Sequence, residues 1–398
     1  MSKYISFTLI FCVLIILFTW PLQAIAFQDR EKTPEHLAPA FDHLLSLVEK
    51  NSRVRFDAGK IKPILEFITA SKSPEVAYTL GERKGASSAY HEFTINRSLK
   101  EVLDLVYNPE IPSYVTSPSS VRRSHWIEVN GKRQPLPKLS DALADLSGPF
   151  IVKGVEFIEN TPDANTGAYY AYELDRTLII LQHQGKRIFL SISDQRDKSN
   201  VGKKGLVLGP DDDWNYLYTG EKGCTLKGLT WADSYMYNSS SLVVYYETND
   251  PTPQVKCSTF KWLKAGWAGL NFVKTHHLHK GIKRFATSFK EIVESQALAD
   301  VTKLSRMFAR IGSLSIEELR EKSRVYFEYL RRRYKDKSKL ARKWLTELSK
   351  DEGYLEKMNR EEMEVILCSE YLKHLLGKDP RFDISYFEPS KPPTKRPG

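Results

Sequence analysis

Residues Ala265–Ser295, AGWAGLNFVKTHHLHKGIKRFATSFKEIVES, predict a long amphipathic helix. Apolar side chains recur at steps of four and three residues, and this spacing places them on one helical face. They are Leu278, Ile282, Phe285, Phe289 and Ile292. Gly281 lies in the middle of this predicted helix. A glycine at such a position costs about 1 kcal/mol relative to alanine, and it allows another element to approach closely or the helix to open. A helix with one apolar stripe lies on a broad apolar surface, so what it covers decides the architecture.

A block of predicted strands precedes this helix, from about residue 150 to residue 262. Its runs of β-branched and aromatic residues are typical of strands, and Gln184-Gly185 predicts a tight hairpin turn between two of them. Farther upstream, residues 76–95 predict a hairpin and residues 98–108 predict a short helix. The order of hairpin, short helix, antiparallel strands and long helix predicts an α+β protein.

Helical segments flank this central region on both sides. Residues 27–72 predict short N-terminal helices, and strand patterns vanish after the long helix. Ser315 and Glu318 have the spacing of a capping box at a helix N-terminus. We therefore expect a helical extension over residues 298–388 and a disordered tail over residues 389–398.

Three segments resemble the START lipid-transfer domains and their wider helix-grip relatives. They are HEFTINRSLKEVLDLVYNPE (residues 91–110), SLVVYYETNDPTPQVK (residues 241–256) and the long helix with its approach KAGWAG (residues 264–295). The resemblance covers roughly residues 73–297 and implies a curved antiparallel sheet closed by a long C-terminal helix. The chain departs from the family's pattern in a long, loop-rich segment at residues 111–149 and in the helical extension.

Such a fold implies a cavity between the sheet and the helix, and the resemblance favours a hydrophobic ligand, with a lipid as the first candidate. We select the residues that would line this cavity by their facing and their aromatic size. They are Tyr170, Tyr172, Ile180, Phe189, Tyr245, Trp267, Phe272 and Phe285. The predicted function is therefore the binding or transfer of a hydrophobic ligand.

Catalysis is the alternative function, because helix-grip relatives include cyclases and hydrolases. The sequence contains no G-x-S-x-G, H-E-x-x-H or P-loop motif, and Ser124 and His125 are adjacent and so point apart in a strand. A charged or polar dyad deep in the cavity would favour an enzyme, whereas a purely apolar cavity would favour binding. His276, His277 and His279 lack further ligands at metal spacing, so we predict neither a metal nor a cofactor.

The first 26 residues have the order of a secretory signal peptide. A lysine precedes an apolar run, Pro21 breaks that run, and small residues stand before a cleavage site after Ala26. We therefore expect a secreted or periplasmic protein. The alternative is a membrane anchor formed by residues 4–20, because the run is long enough to span a bilayer.

Positive charge is concentrated in one segment. Residues 301–350 hold 15 basic and 6 acidic residues, which accounts for nearly all of the net charge of +10. Export argues against nucleic acid as the partner, so the run favours an anionic membrane surface, with Tyr329, Tyr334 and Trp344 suited to the interface. Its basic residues are Arg331, Arg332, Arg333, Lys335, Lys337, Lys339, Arg342 and Lys343. The alternatives are a solvated helix face and a surface that binds a partner protein of the cell envelope.

Three cysteines remain after the predicted cleavage, and none has the spacing of a zinc site. In an oxidising compartment we predict a disulfide between Cys224 and Cys257, which both flank strands, while Cys368 lies in a helical stripe and stays reduced. Three unpaired buried cysteines are the alternative.

Overall fold

The computed structural model describes residues 32–49, 52–71, 73, 75–164, 166–226, 231–248, 252–334, 339–350 and 353–378. The predicted signal peptide, its alternative as a membrane anchor, and the predicted C-terminal tail all lie outside these ranges and stay predictions. Of the helices within the ranges, none combines the length and the apolar composition needed to cross a membrane.

Eleven strands in the described ranges form two antiparallel sheets. They are β1 (Glu75–Tyr78), β2 (Ser87–Ile95), β3 (Val121–Val129), β4 (Phe150–Asn160), β5 (Ala168–Tyr169), β6 (Ala171–His183), β7 (Lys186–Gln195), β8 (Lys203–Val207), β9 (Tyr216–Lys222), β10 (Tyr235–Thr248) and β11 (Gln254–Gly266). The main sheet has the order β1-β2-β11-β10-β7-β6-β4-β3, and the small sheet has the order β5-β8-β9. The predicted α+β class is confirmed.

Helices precede, interrupt and follow the strands. They are α1 (Ala38–Ser46), α2 (Lys62–Ala70), α3 (Leu99–Val106), α4 (Thr275–Glu294), α5 (Val301–Gly312), α6 (Ile316–Tyr334), α7 (Lys339–Lys350), α8 (Gly353–Lys357) and α9 (Arg360–Leu375). The long amphipathic helix predicted from the sequence is α4, and α5 to α9 form the C-terminal extension.

Local sequence signals explain where several elements begin and turn. The β6–β7 hairpin turns at Gln184 and Gly185, whose φ angles of 50° and 75° are those that a tight hairpin turn requires. At the start of α3, the Ser98 side chain accepts a hydrogen bond from the Glu101 backbone N–H at 3.3 Å. The Glu101 carboxylate accepts one from the Ser98 backbone N–H at 2.8 Å, which completes a capping box.

The N-terminal helices α1 and α2 cover one face of the main sheet. Phe41 of α1 contacts Phe260 and Trp262 of β11, with ring centroids 4.9 and 5.4 Å apart. Leu242 and Val244 of β10 point to the same face and are fully buried. Because large apolar side chains fill this layer, it forms a continuous core.

Helix α4 lies against the other face of the main sheet. Phe289 is 6.3 Å from Phe93 of β2 and 6.5 Å from Tyr245 of β10, measured between ring centroids. The C-terminal end of α4 is tied to the turn after β2, where Arg97 donates a hydrogen bond to the Val293 carbonyl at 3.2 Å. Tight packing is therefore concentrated at this end of the helix.

The segment expected to be rich in loops contains the edge strand β3, which the sequence analysis did not predict. Arg122 of β3 pairs with Glu159 of β4 at 2.5 Å and with Glu362 of α9 at 2.8 Å. Its guanidinium carbon also lies 3.8 Å from the centroid of the Tyr218 ring. The polar residues of β3 obscure the alternation of apolar and polar residues that would predict a strand. Their ion pairs join the C-terminal extension to the main sheet.

The predicted disulfide between Cys224 and Cys257 is wrong, because no bridge joins them. Cys257 lies within β11 and faces the core opposite Tyr245 of β10. Cys224 follows β9 of the small sheet and packs in a separate cluster with Tyr170. The prediction placed both cysteines in one sheet, whereas the chain forms two. Burial raises the pKa of both thiols and of Cys368, which keeps all three protonated.

Candidate ligand cavity

A cavity of about 1330 Å³ lies between the main sheet and α4. Its walls come from β3, β4, β6, β7, β10 and β11, from α4 and α9, and from the segment 107–120 between α3 and β3. Pockets for small ligands usually measure about 300–1,000 Å³. This space is therefore large enough for a bulkier guest.

The helix side of the cavity is mainly apolar. Leu278, Ile282 and Phe285 border the space, and Phe285 stacks on Phe289 with ring centroids 5.1 Å apart. Gly281 also borders the cavity, and a Cβ added there would meet no atom within 4 Å. Close approach of another element is therefore not the reason for this glycine.

The sheet side of the cavity carries polar as well as apolar residues. One row of residues crosses four strands in register, with Lys261 opposite Ser241, Ser241 opposite Ser193, and Ser193 opposite Arg176. All four residues line the cavity, and we call them the polar row. The hydroxyl oxygens of Ser193 and Ser241 lie 2.7 Å apart. Because serine is small, the middle of the row leaves room between two cationic side chains.

Arg176 is held by an ion pair inside the cavity. Its Nε lies 2.7 Å from Oε2 of Glu156, and its Nη1 donates a hydrogen bond to Ser191 Oγ at 2.9 Å. Burial raises the pKa of Glu156 above its usual value, although Arg176 opposes that rise. Charges are costly to bury unless further polar contacts satisfy them. The pair therefore favours a guest with a polar group.

Lys261 occupies the other end of the polar row. Its Nζ donates a hydrogen bond to Ser239 Oγ at 2.6 Å, and no carboxylate of the described residues comes within ion-pairing distance of it. Burial, together with the nearby charge of Arg176, lowers the pKa of Lys261 to about 8, and Asp194 opposes this shift. The amine is still mostly protonated at neutral pH, so its charge faces the cavity without a counter-ion.

Three tyrosines add hydroxyl groups to the wall. Tyr107, Tyr172 and Tyr245 all line the cavity. Burial raises the pKa of each phenol, that of Tyr172 to about 12. They therefore keep their protons and are able to donate hydrogen bonds to a guest.

The structure places six of the eight predicted ligand-binding residues on the cavity wall. They are Tyr170, Tyr172, Tyr245, Trp267, Phe272 and Phe285. Ile180 and Phe189 face the same side of the sheet but are buried in the packed core, at 1% and 0% exposure. Contact between any of the eight and a ligand stays a prediction.

The sequence interpretation missed the charged residues of the cavity. Strand alternation carries a signal for one of them, because Arg176 falls in register with Leu174 and Leu178 on β6, where an apolar residue is expected. Glu156 and Lys261 lie on strands that carry buried residues on both faces. Alternation of polar and apolar residues therefore did not separate the cavity from the core.

The histidines of α4 have separate surroundings. The Nδ1 of His277 accepts a hydrogen bond from the Lys274 backbone N–H at 3.3 Å, so this side chain caps the helix. His279 is buried at 5% exposure. Within the described residues, no group of three or more metal-ligating side chains comes together.

The predicted membrane-surface run is only partly described. Its exposed members are Arg331, Arg332, Arg333, Arg342 and Lys343. Lys335 and Lys337 lie outside the described residues, as does the side chain of Lys339. Tyr334 and Trp344 are buried at 3% and 8% exposure and pack in a cluster with residues of β9 and its flanking segment. The interpretation that these two aromatic residues suit an interface is therefore wrong.

Exposed apolar side chains lie at the rim of the cavity. Leu270 and Phe272, in the loop between β11 and α4, are 58% and 42% exposed, and Phe272 also lines the cavity. Lys274 and Lys280, at the start of α4, are exposed as well. This rim loop, residues 267–274, combines apolar tips with nearby positive charge.

Fold and cavity together define an α+β protein with a large internal space beside its main sheet. No protein-family model matches the chain, and no curated protein matches its sequence. Among solved structures, a similarity was found to the crystal structure of human STARD10, at 9% sequence identity and a TM-score of 0.31. The alignment covers 61% of this chain and 83% of that chain. A TM-score this low supports no argument about ligand or function.

The cavity predicts different costs for two phenylalanines. Phe285→Ala removes a half-buried ring beside empty space, so it should destabilise the protein by less than the ~3–5 kcal/mol of a core phenylalanine. Phe189→Ala, its control in the solid core, should cost that full amount. Urea unfolding of both variants measures the difference. Equal losses of stability would show that Phe285 belongs to a filled core.

Proposed function

We propose that this protein binds a hydrophobic ligand, with a lipid as the preferred candidate, in the cavity between the main sheet and α4. The observation that carries the proposal is a cavity of about 1330 Å³ with a mainly apolar wall on the helix side and a row of polar residues on the sheet side. An amphiphile matches both walls, because its chains avoid water beside α4 while its head meets hydroxyl and charged groups. In this proposal α4 closes the cavity, as in the START-like arrangement that the sequence resembles.

Catalysis on a hydrophobic substrate is the second candidate, because a charged dyad does lie in the cavity. Glu156 has a raised pKa, which suits a general acid or base. However, its carboxylate is engaged by Arg176 at 2.7 Å, and an arginine stays protonated in proteins. We therefore prefer binding, with Glu156 and Arg176 as fixed polar contacts.

Native mass spectrometry of the purified chain tests the proposal. The protein is stripped of bound lipid, incubated with mixed-lipid vesicles and separated from them. We expect a defined mass increase that corresponds to one lipid per chain. Release of a chemically altered lipid would instead favour the enzyme.

A variant that fills the cavity provides the control for this experiment. Ser241 has a small side chain in the middle of the polar row, so Ser241→Trp should occupy the space and abolish lipid uptake. Ser241→Ala should keep uptake close to that of the unmodified chain. If the unmodified chain carries no lipid, or if Ser241→Trp carries as much, the proposal fails.

We also propose that the rim loop contacts an anionic membrane when lipid is exchanged. Leu270 and Phe272 are the exposed apolar tips beside the cavity, and Lys274 and Lys280 provide the charge that anionic headgroups attract. The exposed arginines of α6 are a second candidate surface, because their positive charge favours contact with an anionic membrane. The neighbouring Tyr334 adds no support for such a contact, since its side chain is buried.

Vesicle co-sedimentation separates the two surfaces. Leu270→Ser removes an exposed apolar tip, so binding to anionic vesicles should weaken several-fold, and added salt should weaken it further. The matched control, Arg332→Ser on α6, should change binding little. The opposite ranking would place the membrane contact on α6, and equal binding by all three proteins would exclude both surfaces.

A further inference from the structure

The two cations of the polar row are spaced across the cavity wall rather than paired with each other. Lys261 and Arg176 stand on β11 and β6, which are separated by β10 and β7. Three strand spacings place their backbones about 14 Å apart. Ser241 and Ser193 lie between them, and their hydroxyl groups contact each other at 2.7 Å. The polar row thus has a cation at each end and hydroxyl groups in the middle.

The ammonium group of Lys261 has more hydrogen-bond donors than the contact with Ser239 uses. An ammonium group carries three N–H donors, and Ser239 accepts one of them at 2.6 Å. The charged groups that act on Lys261 are Arg176 of β6, which repels it, and Asp194 of β7, which attracts it from the opposite face of the sheet. Asp194 is already contacted there by Ser240 and lies 3.9 Å from Lys84.

Arg176 is better satisfied but not saturated. Glu156 contacts its Nε and Ser191 accepts from its Nη1. A guanidinium has five N–H donors, so further donors remain for a guest. Glu156 offsets the charge of Arg176, whereas the charge of Lys261 is left for a guest to neutralise.

We propose that the polar row binds a single anionic headgroup, a carboxylate or a phosphate, with Lys261 as its main cationic contact and Arg176 as the second. This inference rests on the proposed function, because it concerns the head of the amphiphile whose chains lie against α4. An anion seated between the two cations relieves their mutual repulsion and compensates for the water that each has lost. A neutral headgroup of the same size gains only the hydroxyl contacts.

Two matched ligand pairs test the proposal on the delipidated full chain. Oleate is compared with oleyl alcohol, and dioleoyl phosphatidate with dioleoylglycerol, so that each pair differs only in the anionic group. We expect the acidic member of at least one pair to bind about 10- to 100-fold more tightly, the range typical of one charge-assisted hydrogen bond. The pair that shows the difference identifies the headgroup as carboxylate or phosphate.

Variants of Lys261 assign the effect to this residue. Lys261→Met should remove the preference for the acidic lipid, leave the neutral lipid unaffected, and keep or raise the melting temperature, since a buried charge is replaced by an apolar side chain. Lys261→Arg keeps the charge and should retain the preference. Lys264→Met, on the same strand but outside the cavity wall, should change neither affinity.

The possible outcomes separate this inference from the proposed function. If both members of each pair bind equally, or if Lys261→Met weakens the binding of acidic and neutral lipids alike, the polar row does not bind an anionic headgroup. The proposed lipid binding then still stands. If no member of either pair binds, the proposed function fails, and the proposed binding of an anionic headgroup fails with it.

Discussion

Helices lie against both faces of the main sheet, and the cavity depends on the difference between these faces. Toward α1 and α2, Phe260 and Trp262 of β11 fill the layer with large rings. Toward α4, the alternate residues Thr259 and Lys261 of the same strand line a space instead. Because side chains alternate along a strand, the same segment contributes side chains to a packed core on one face and to the wall of the cavity on the other. Burial on the first side stabilises a sheet whose second side is incompletely packed.

The elements that bound the cavity are also tied to the rest of the fold. Helix α4 is held at its C-terminal end, where Phe289 packs against the sheet and Arg97 bonds the Val293 carbonyl. The C-terminal extension reaches the same space, because Glu361 and Glu364 of α9 lie on the cavity wall. The extension therefore takes part in shaping the candidate site.

Sequence patterns predicted the elements whose signals are local. The stripe of α4, the turn at Gln184 and the capping box of Ser315 and Glu318 depend on neighbouring residues, and the structure contains all three. The edge strand β3 was missed because its polar residues serve ion pairs with α9, which is distant in the chain. The predicted disulfide was wrong for a related reason, since Cys224 follows a strand of a second sheet that local patterns do not reveal. The polar row was missed because four strands assemble it.

Photo-cross-linking with a lipid that carries a diazirine in its acyl chain tests the central claim that the two faces of the sheet differ in function. The probe is bound to the full chain, activated by light, and mapped by mass spectrometry of peptides. The account predicts labels on the cavity-lining residues of α4, around Phe285, and on the cavity-facing residues of β10, such as Val243. Labels on α1 and α2, or a pattern unchanged by excess unlabelled lipid, would contradict it.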